Sequence, residues 1–261
     1  MSEPMAAVRR RADRRGSPAV ERVPAVRRIV LTGATGLVGR ALMERCVGLG
    51  DLRLGAVARR RIDLPKGARM EFFVAEPAHW GETIAALNPH VVVCALGTTW
   101  HKAGKDEEAF RAVDEKLVLE VARAAKEAGA RQFIALSSVG ASMASKNRYL
   151  RIKGEVEQRL MKLHFDRLDI LRPGLLRGRR QGDPRLGERL AALGSPVADC
   201  LLHGSMRRYR SIPARRVAEA ILGLTTQRAN GRFVHEHDSL QRAVRRFSEW
   251  NEASPLNQAA R

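Results

Sequence analysis

The sequence predicts an α/β protein built on a doubly wound parallel sheet with a small C-terminal cap. Three observations carry that expectation. Short β-branched and apolar runs alternate with amphipathic helical stretches. Several of those runs are apolar throughout, as strands covered on both faces must be. The first run ends in a glycine-rich turn that opens a helix.

Taken in order, residues 29–31 form a buried strand that enters the turn at Thr32 and Gly33. Residues 37–47 carry Leu37, Val38, Ala41, Leu42 and Val47 at helical spacing and stop near Gly48 and Gly50. Strands follow at 52–57 and 70–74, and a short helix at 80–87 is halted by Asn88 and Pro89. Residues 91–96 are a continuous apolar strand. A long helix spans 107–128, with Phe110, Val113, Leu117, Val121, Ala124 and Ala125 on its apolar stripe, and Gly129 closes it. A strand at 133–137, a helix at 149–163, a strand at 168–171, a helix near 214–224 and a strand near 232–235 complete the alternation.

The chain has 261 residues, 44% of them hydrophobic, which suffices for one large α/β domain. The expected organisation is a disordered, arginine-rich tail at 1–26 and a nucleotide-binding domain at 27–240. The cap is drawn mainly from 175–240, and a tail or docking helix occupies 241–261. The tail carries clustered arginines, Ser17, Pro18 and Pro24 without apolar periodicity, and Glu3, Asp13 and Glu21 are poor composition for a mitochondrial presequence. No run approaches the roughly 20 apolar residues of a membrane span. Cys46, Cys94 and Cys200 form no CxxC pair, which fits a reducing compartment, read as the cytoplasm.

The formal charge of +19 invites a nucleic-acid reading. The excess is mostly arginine near the ends, at Arg9, Arg10, Arg11, Arg14 and Arg15 and again at Arg207, Arg208, Arg210, Arg215 and Arg216. Only Tyr209 falls within either cluster, and aromatics make up only 5% of the chain, so the charge reads as solvated surface. That surface concentrates phosphorylated cofactors and anionic substrates. The expected partner is a small-molecule substrate, with a second copy of the chain as the other candidate.

Gly33, Gly36 and Gly39 follow the first strand with GxxGxxG spacing. Glycines there let the backbone turn tightly and approach a pyrophosphate, while the helix N-terminus offers free N–H groups. Past the second strand the chain reads Val57-Ala58-Arg59-Arg60-Arg61, with no acid before Asp63. An NAD site wants a carboxylate there for the ribose 2′-hydroxyl. Arg59 and Arg60 suit the 2′-phosphate of NADP(H) instead.

Tyr149 and Lys153 lie four apart at the start of one helix and so share a face. Ser137 and Ser138 end a strand, where carboxyl ends line the ligand crevice. Carbonyl–alcohol chemistry wants these types together. A tyrosine, whose free pKa is about 10, exchanges a proton with the substrate oxygen, and a nearby ammonium favours its phenolate form. A serine hydroxyl holds that oxygen in place. The cofactor carries the hydride.

The ordered set TGATGLVG, ARR, CALGTT, LSSVGA, YLRIKGEVE and LDILRPGLL resembles the short-chain dehydrogenase/reductases. It is most similar to the atypical branch containing Tat-interacting-protein-like oxidoreductases and bacterial proteins labelled nucleoside-diphosphate-sugar epimerases. The resemblance covers about residues 27–237. It implies that Gly33, Thr35, Gly36, Leu37, Val38 and Gly39 form the pyrophosphate turn and that Arg59, with Arg60 beside it, meets the 2′-phosphate. Leu96, Gly97 and Thr98 would flank the nicotinamide ribose. Tyr149 would be the acid/base, Lys153 its partner and ribose anchor, and Ser137 or Ser138 the orienting hydroxyl. Pro173 and Gly174 would shape the nicotinamide pocket. Two departures stand out. Val74-Ala75-Glu76-Pro77 replaces the Asp that often contacts adenine after the third strand, and the C-terminal segment is short for a sugar-nucleotide epimerase.

Other residues read as structural. His101 and Lys102 follow the Thr98–Thr99 loop and either touch substrate or are solvated. His235 and His237 lack the further ligands a zinc site needs. Trp80, Trp100 and Trp250 are scattered. The reading is thus an NADP(H)-dependent oxidoreductase of a small carbonyl or alcohol. Its rivals are a sugar-nucleotide epimerase or dehydratase and a non-catalytic NADP(H)-binding scaffold or regulator.

Overall fold

The computed structural model describes residues 26–178 and 202–259. The expected tail therefore lies almost wholly outside the described residues, as does the stretch 179–201 of the expected cap.

Seven strands form one sheet, all parallel, in the order β3-β2-β1-β4-β5-β6-β9. They are β1 (Arg27–Thr32), β2 (Leu52–Ala58), β3 (Glu71–Val74), β4 (Val91–Cys94), β5 (Gln132–Leu136), β6 (Arg167–Leu171) and β9 (Gly231–His235). β1 and β4 hydrogen-bond side by side, so the chain winds outward in both directions from that pair, the doubly wound Rossmann arrangement. The helices are α1 (Leu37–Cys46), α2 (Trp80–Ala86), α3 (Glu107–Arg111), α4 (Val118–Glu127) and α5 (Arg148–Met161) in the first part of the chain. After it come α6 (Ala214–Thr225), α7 (His237–Ala253) and α8 (Pro255–Ala259). Two short strands, β7 (Leu176–Arg177) and β8 (Ile212–Pro213), pair with each other outside the main sheet.

The central strands read as apolar runs because both their faces are covered. β4 is buried at every position, and β6 likewise. One core joins α1, α6 and α7 to the sheet through Leu42, Ile221, Val244 and Phe247. The other joins α2, α4 and α5 through Ile84, Val121, Phe133 and Ile152.

Two expectations about the C-terminal part change. Much of the segment assigned to a cap, Ala214–Thr225 and Gly231–His235, is a helix and an edge strand of the main α/β layers. Residues 241–253, read as the start of a tail or docking helix, continue α7, and Pro255–Ala259 form α8. α7 buries Leu240, Ala243, Val244 and Phe247. It approaches α6 so closely that a Cβ at Gly223 would stand 2.0 Å from the Ala243 carbonyl oxygen. Beyond it the Ser254 hydroxyl donates to the Asp51 carboxylate, and the Asp51 N–H donates to Asn257 Oδ1 at 3.3 Å. The C-terminus thereby clasps the turn before β2.

Candidate functional site

In a parallel sheet all the carboxyl ends lie along one edge, and the loops leaving β1, β2, β4, β5 and β6 gather there. Gly33 has φ +86°, and a Cβ on it would lie 2.4 Å from the carbonyl carbon and oxygen of Ala95. No other residue fits both constraints. Gly36 donates its N–H to the Gly33 carbonyl at 3.0 Å, closing the turn. A Cβ on Gly39 would stand 2.2 Å from the same oxygen, so α1 starts hard against the strand. No side chain caps α1, and its first turn holds no acid, which leaves a positive helix end facing the crevice.

Two adjoining cavities border this turn. One, about 510 Å³, is walled by Gly33, Ala58, Arg59, Glu76 and Leu96, with Trp80 behind them. The other, about 440 Å³, is walled by Thr35, Leu37, Arg40, Arg60 and Lys102. Thr35, Gly36, Arg60, Gly97 and Thr98 border both. The glycine turn, both arginines and the Leu96–Thr98 loop are thus brought together. Val38 and Gly39 sit behind the turn in its packing, with Val38 buried. Arg40 was not singled out in the sequence, although it lies one turn into a helix that begins at a glycine triplet.

The Tyr149–Lys153 pair stands next to the Leu96–Thr98 loop. Asn147 caps α5 by accepting the Leu150 N–H at 3.3 Å, which starts the helix just before Tyr149. A Cβ on Gly154 would meet the Ser142 carbonyl carbon at 2.5 Å, so α5 packs directly on the loop after β5. The Tyr149 ring lies 5.4 Å from that of Phe110. Lys153 Nζ reaches Asp114 Oδ1 at 2.6 Å, and the Thr98 N–H donates to Asp114 Oδ2 at 2.7 Å. A Cβ on Gly97 would be 3.9 Å from Lys153 Nζ. Asp114 therefore ties the lysine to the loop. Burial alone would push the Lys153 ammonium down in pKa, but Asp114 and the neighbouring Tyr149 hold it above its ordinary value.

Asp114 lies within a break in the helix period. Between α3 and α4 the chain makes a π-helical segment, Ala112–Leu117, whose wider turn rotates the following residues. Asp114 and Glu115 become buried, whereas Val113 and Leu117, expected on the apolar stripe, are half-buried. Glu115 is satisfied by Arg111 and by Arg159 at 2.5 Å, and Arg111 also reaches Glu155 at 2.8 Å. This network fastens the π segment to α5.

The two serines part company. The Ser137 hydroxyl donates to Glu157, whose carboxylate also takes Arg172 Nε at 2.9 Å and Nη2 at 2.5 Å. Ser137 is thereby committed to a structural clasp between α5 and the end of β6. Among the described residues the Ser138 hydroxyl makes a long contact of 3.4 Å to its neighbour's carbonyl, and the residue is half-buried. Pro173 accepts the Val139 N–H at 3.1 Å, and a Cβ on Gly174 would lie 2.3 Å from the Arg210 carbonyl oxygen. Pro173 and Gly174 thus brace the serine loop against the segment before β8. Asp114, Glu157 and Arg172 were not identified from the sequence.

A family model described as NAD(P)H-binding matches residues 33–227, most of the chain. The chain belongs to the NAD(P)H-binding family.

Two relatives of this family member are fmp52, a mitochondrial protein of Aspergillus niger, and HTATIP2 of Rattus norvegicus. The first is 34% identical over 59% of this chain and 68% of its own length. The second is 37% identical over 62% of this chain and 68% of its own length. FMP52 of Candida albicans is 31% identical over 77% of this chain and 89% of its own. Among solved structures, an NAD-dependent epimerase/dehydratase-like protein from Bacillus halodurans aligns with a TM-score of 0.62 at 23% identity, over 84% of this chain and 99% of its own. MoeE5 in complex with UDP-glucose and NAD aligns with a TM-score of 0.61 at 15% identity, over 87% and 83%. These structures share the NAD(P)-binding Rossmann fold.

The cytoplasmic compartment expected from the cysteines is corrected by these relatives, since the fungal ones are named mitochondrial proteins. Free thiols could not make the distinction, because any compartment that keeps thiols reduced tolerates them. Burial pushes both Cys46 (to about 12) and Cys94 up in pKa, which leaves little reactive thiolate on either. Among the described residues no helix is long and apolar enough to cross a membrane.

Proposed function

We propose that the chain is an NADP(H)-dependent oxidoreductase of the short-chain dehydrogenase/reductase type, acting on a small carbonyl or alcohol. The observation that carries this reading is the Asp114–Lys153 pair, set beside Tyr149 and directly under the Leu96–Thr98 loop.

The residues present fit a dinucleotide. The Gly33–Gly36 turn borders a cavity of about 510 Å³, its tight course possible because a Cβ on Gly33 would collide with Ala95, and the helix that follows has no side-chain cap. Gly33, Thr35, Gly36 and Leu37 hold the pyrophosphate, and Val38 and Gly39 fix the start of α1 behind them. Arg59 and Arg60 are exposed at the rim of the neighbouring cavities and take the 2′-phosphate. This is the basis for preferring NADP(H) to NAD(H). Leu96, Gly97 and Thr98 border the ribose, and Pro173 and Gly174 support the nicotinamide end. When bound, the dinucleotide supplies or accepts the hydride.

Tyr149 gives a proton to the substrate oxygen in reduction and takes it back in oxidation. Lys153 stays charged through Asp114, and its ammonium favours the phenolate that Tyr149 becomes on giving up its proton. Ser138 offers its hydroxyl to the same substrate oxygen and orients it. Ser137, already bonded to Glu157, is not available for that task.

The test is NADPH consumption with a panel of small aldehydes and ketones. Net, substrate-dependent consumption is expected, and Tyr149→Phe lowers kcat about 10²–10⁴-fold without weakening NADPH binding. Consumption unchanged in Tyr149→Phe overturns the assignment. A redox-neutral conversion without net consumption would transfer the site to epimerase chemistry.

A further inference from the structure

The edge of the sheet opposite the dinucleotide turn also carries a cavity, of about 440 Å³. It is walled by the first residues of four strands and by the turn joining α6 to β9. Arg27 begins β1, His90 precedes β4, Arg131 precedes β5, Arg167 begins β6, and Arg228 lies in that turn. Ligands of doubly wound sheets bind at the carboxyl ends of the strands, so nothing in the site described above accounts for this concentration of positive charge.

The carboxylates near this cavity are already committed. Asp169 takes Arg167 Nε and Nη2 at 2.7 Å each, Gln132 at 2.7 Å and His235 at 2.8 Å. Asp166, which lines the cavity, pairs with Arg131 at 3.2 Å. Asp51, which acts on Arg27 from the side, is bonded by Ser254. Arg27 and Arg228 instead act on one another. The half-buried Arg27 guanidinium is aimed by its bond to the Thr225 carbonyl, and burial first, then Arg228, press its pKa below the ordinary value against the opposing pull of Asp51. Burial and then Arg28, Arg27 and Arg131 likewise lower the pKa of His90, keeping its ring neutral. Like charges collected in a concave site raise the energy of the free protein, and a bound anion removes that cost.

We propose that this cavity is a second ligand site, for a small soluble molecule carrying a phosphate or diphosphate group, held chiefly by Arg27 and Arg228, with Arg131 at its edge in the pair with Asp166. The planar guanidinium fork matches phosphate oxygens two at a time. Gln227 and Asn230 add uncharged amides at the rim, where the rest of the ligand lies. Arg167 is neutralised by Asp169 and stacked 4.3 Å from the Phe233 ring centroid, so it forms the floor and does not contribute free charge.

Hydrogen exchange read by mass spectrometry, with inorganic pyrophosphate as the probe, tests the proposal and separates this cavity from the dinucleotide turn. Saturable protection of residues 225–231 and 88–91 is expected. In Arg228→Glu the apparent affinity read at those segments falls by about tenfold or more, whereas Arg59→Glu leaves it unchanged. The exposed Arg245→Glu on α7 alters the net charge equally and also leaves it unchanged. Protection confined to residues 33–40 and 59–62, protection at 225–231 that survives Arg228→Glu, an equal loss in Arg245→Glu, or no saturable protection overturns it.

Discussion

Lys153 and Asp114 form an ion pair of 2.6 Å in which the aspartate side chain is fully buried and the lysine side chain 7% exposed. Neither charge is stable there without the other, because the desolvation of a lone ion exceeds anything the surrounding apolar groups return. The pair is also where the fold and the chemistry meet. The aspartate comes from the π segment, the lysine from α5, and the backbone amide that shares the aspartate from the loop after β4.

Asp114→Asn is therefore expected to cost about 3 to 5 kcal/mol in urea unfolding at neutral pH, as removal of one member of a buried pair does. The pH dependence has a definite sign. Lys153 is raised above its unfolded value, so the wild-type contribution is complete below about pH 10.4 and is lost as pH rises through the folded value. In the variant, burial, the largest influence on the lysine, is opposed mainly by Tyr149 and lowers the lysine. Its activity should then fall as the pH drops, at a pH where wild type is still flat. A variant with wild-type stability and pH profile would show that the pair does not hold the ammonium charged.

Ser138→Ala is expected to lower kcat/KM about 10–100-fold while leaving the unfolding midpoint near wild type. Ser137→Ala should do the reverse, costing about 1 to 3 kcal/mol by leaving Glu157 a donor short, with a smaller effect on turnover. Parallel kinetics and unfolding on the two variants decide the matter. Equal losses of turnover would mean that the clasp with Glu157 is itself part of the substrate site.

The Asp169 cluster sets the acid limit of the fold. Burial would raise this carboxyl, but the bonds from His235, Arg167 and Gln132 outweigh it and hold it below the ordinary carboxylate range. Its contribution is complete above the unfolded value of about 3.9 and disappears as pH falls through the lower folded value. Asp169→Asn should thus be much less stable than wild type at pH 7, with the gap closing in the acid limb. A gap independent of pH would show that the cluster works by shape and not by charge.

The sheet, its parallel sense and the glycine turn were legible because each is written in local patterning. Val91-Val92-Val93-Cys94 is the short, β-branched apolar run of a strand covered on both sides, and Gly33 is needed for a conformation and a close approach that together exclude a side chain. Asp114 was not legible. Asp114 lies four residues after Phe110, so a regular helix already turns it toward the stripe, but a carboxylate there carries no apolar signal. Glu115 is the residue that the wider π turn brings inward, and nothing in a 3.6-residue period announces such a turn. Glu157 and Arg172 are fifteen residues apart on different elements, and their pairing is a product of the register between α5 and β6. The C-terminal helix is a different case. Leu240, Ala243, Val244 and Phe247 keep helical spacing in plain view, and the expected boundary at 240 cut through that stripe.

The most direct test of the NADP(H) assignment is calorimetric titration of the wild-type protein and of the Arg59→Ala, Arg60→Ala double variant with NADPH and NADH. Wild type should bind NADPH at least about tenfold more tightly than NADH, since only the former offers a phosphate to the guanidinium pair. The double variant should bind the two alike. Equal affinity in wild type, or a preference that survives loss of both arginines, would contradict the assignment.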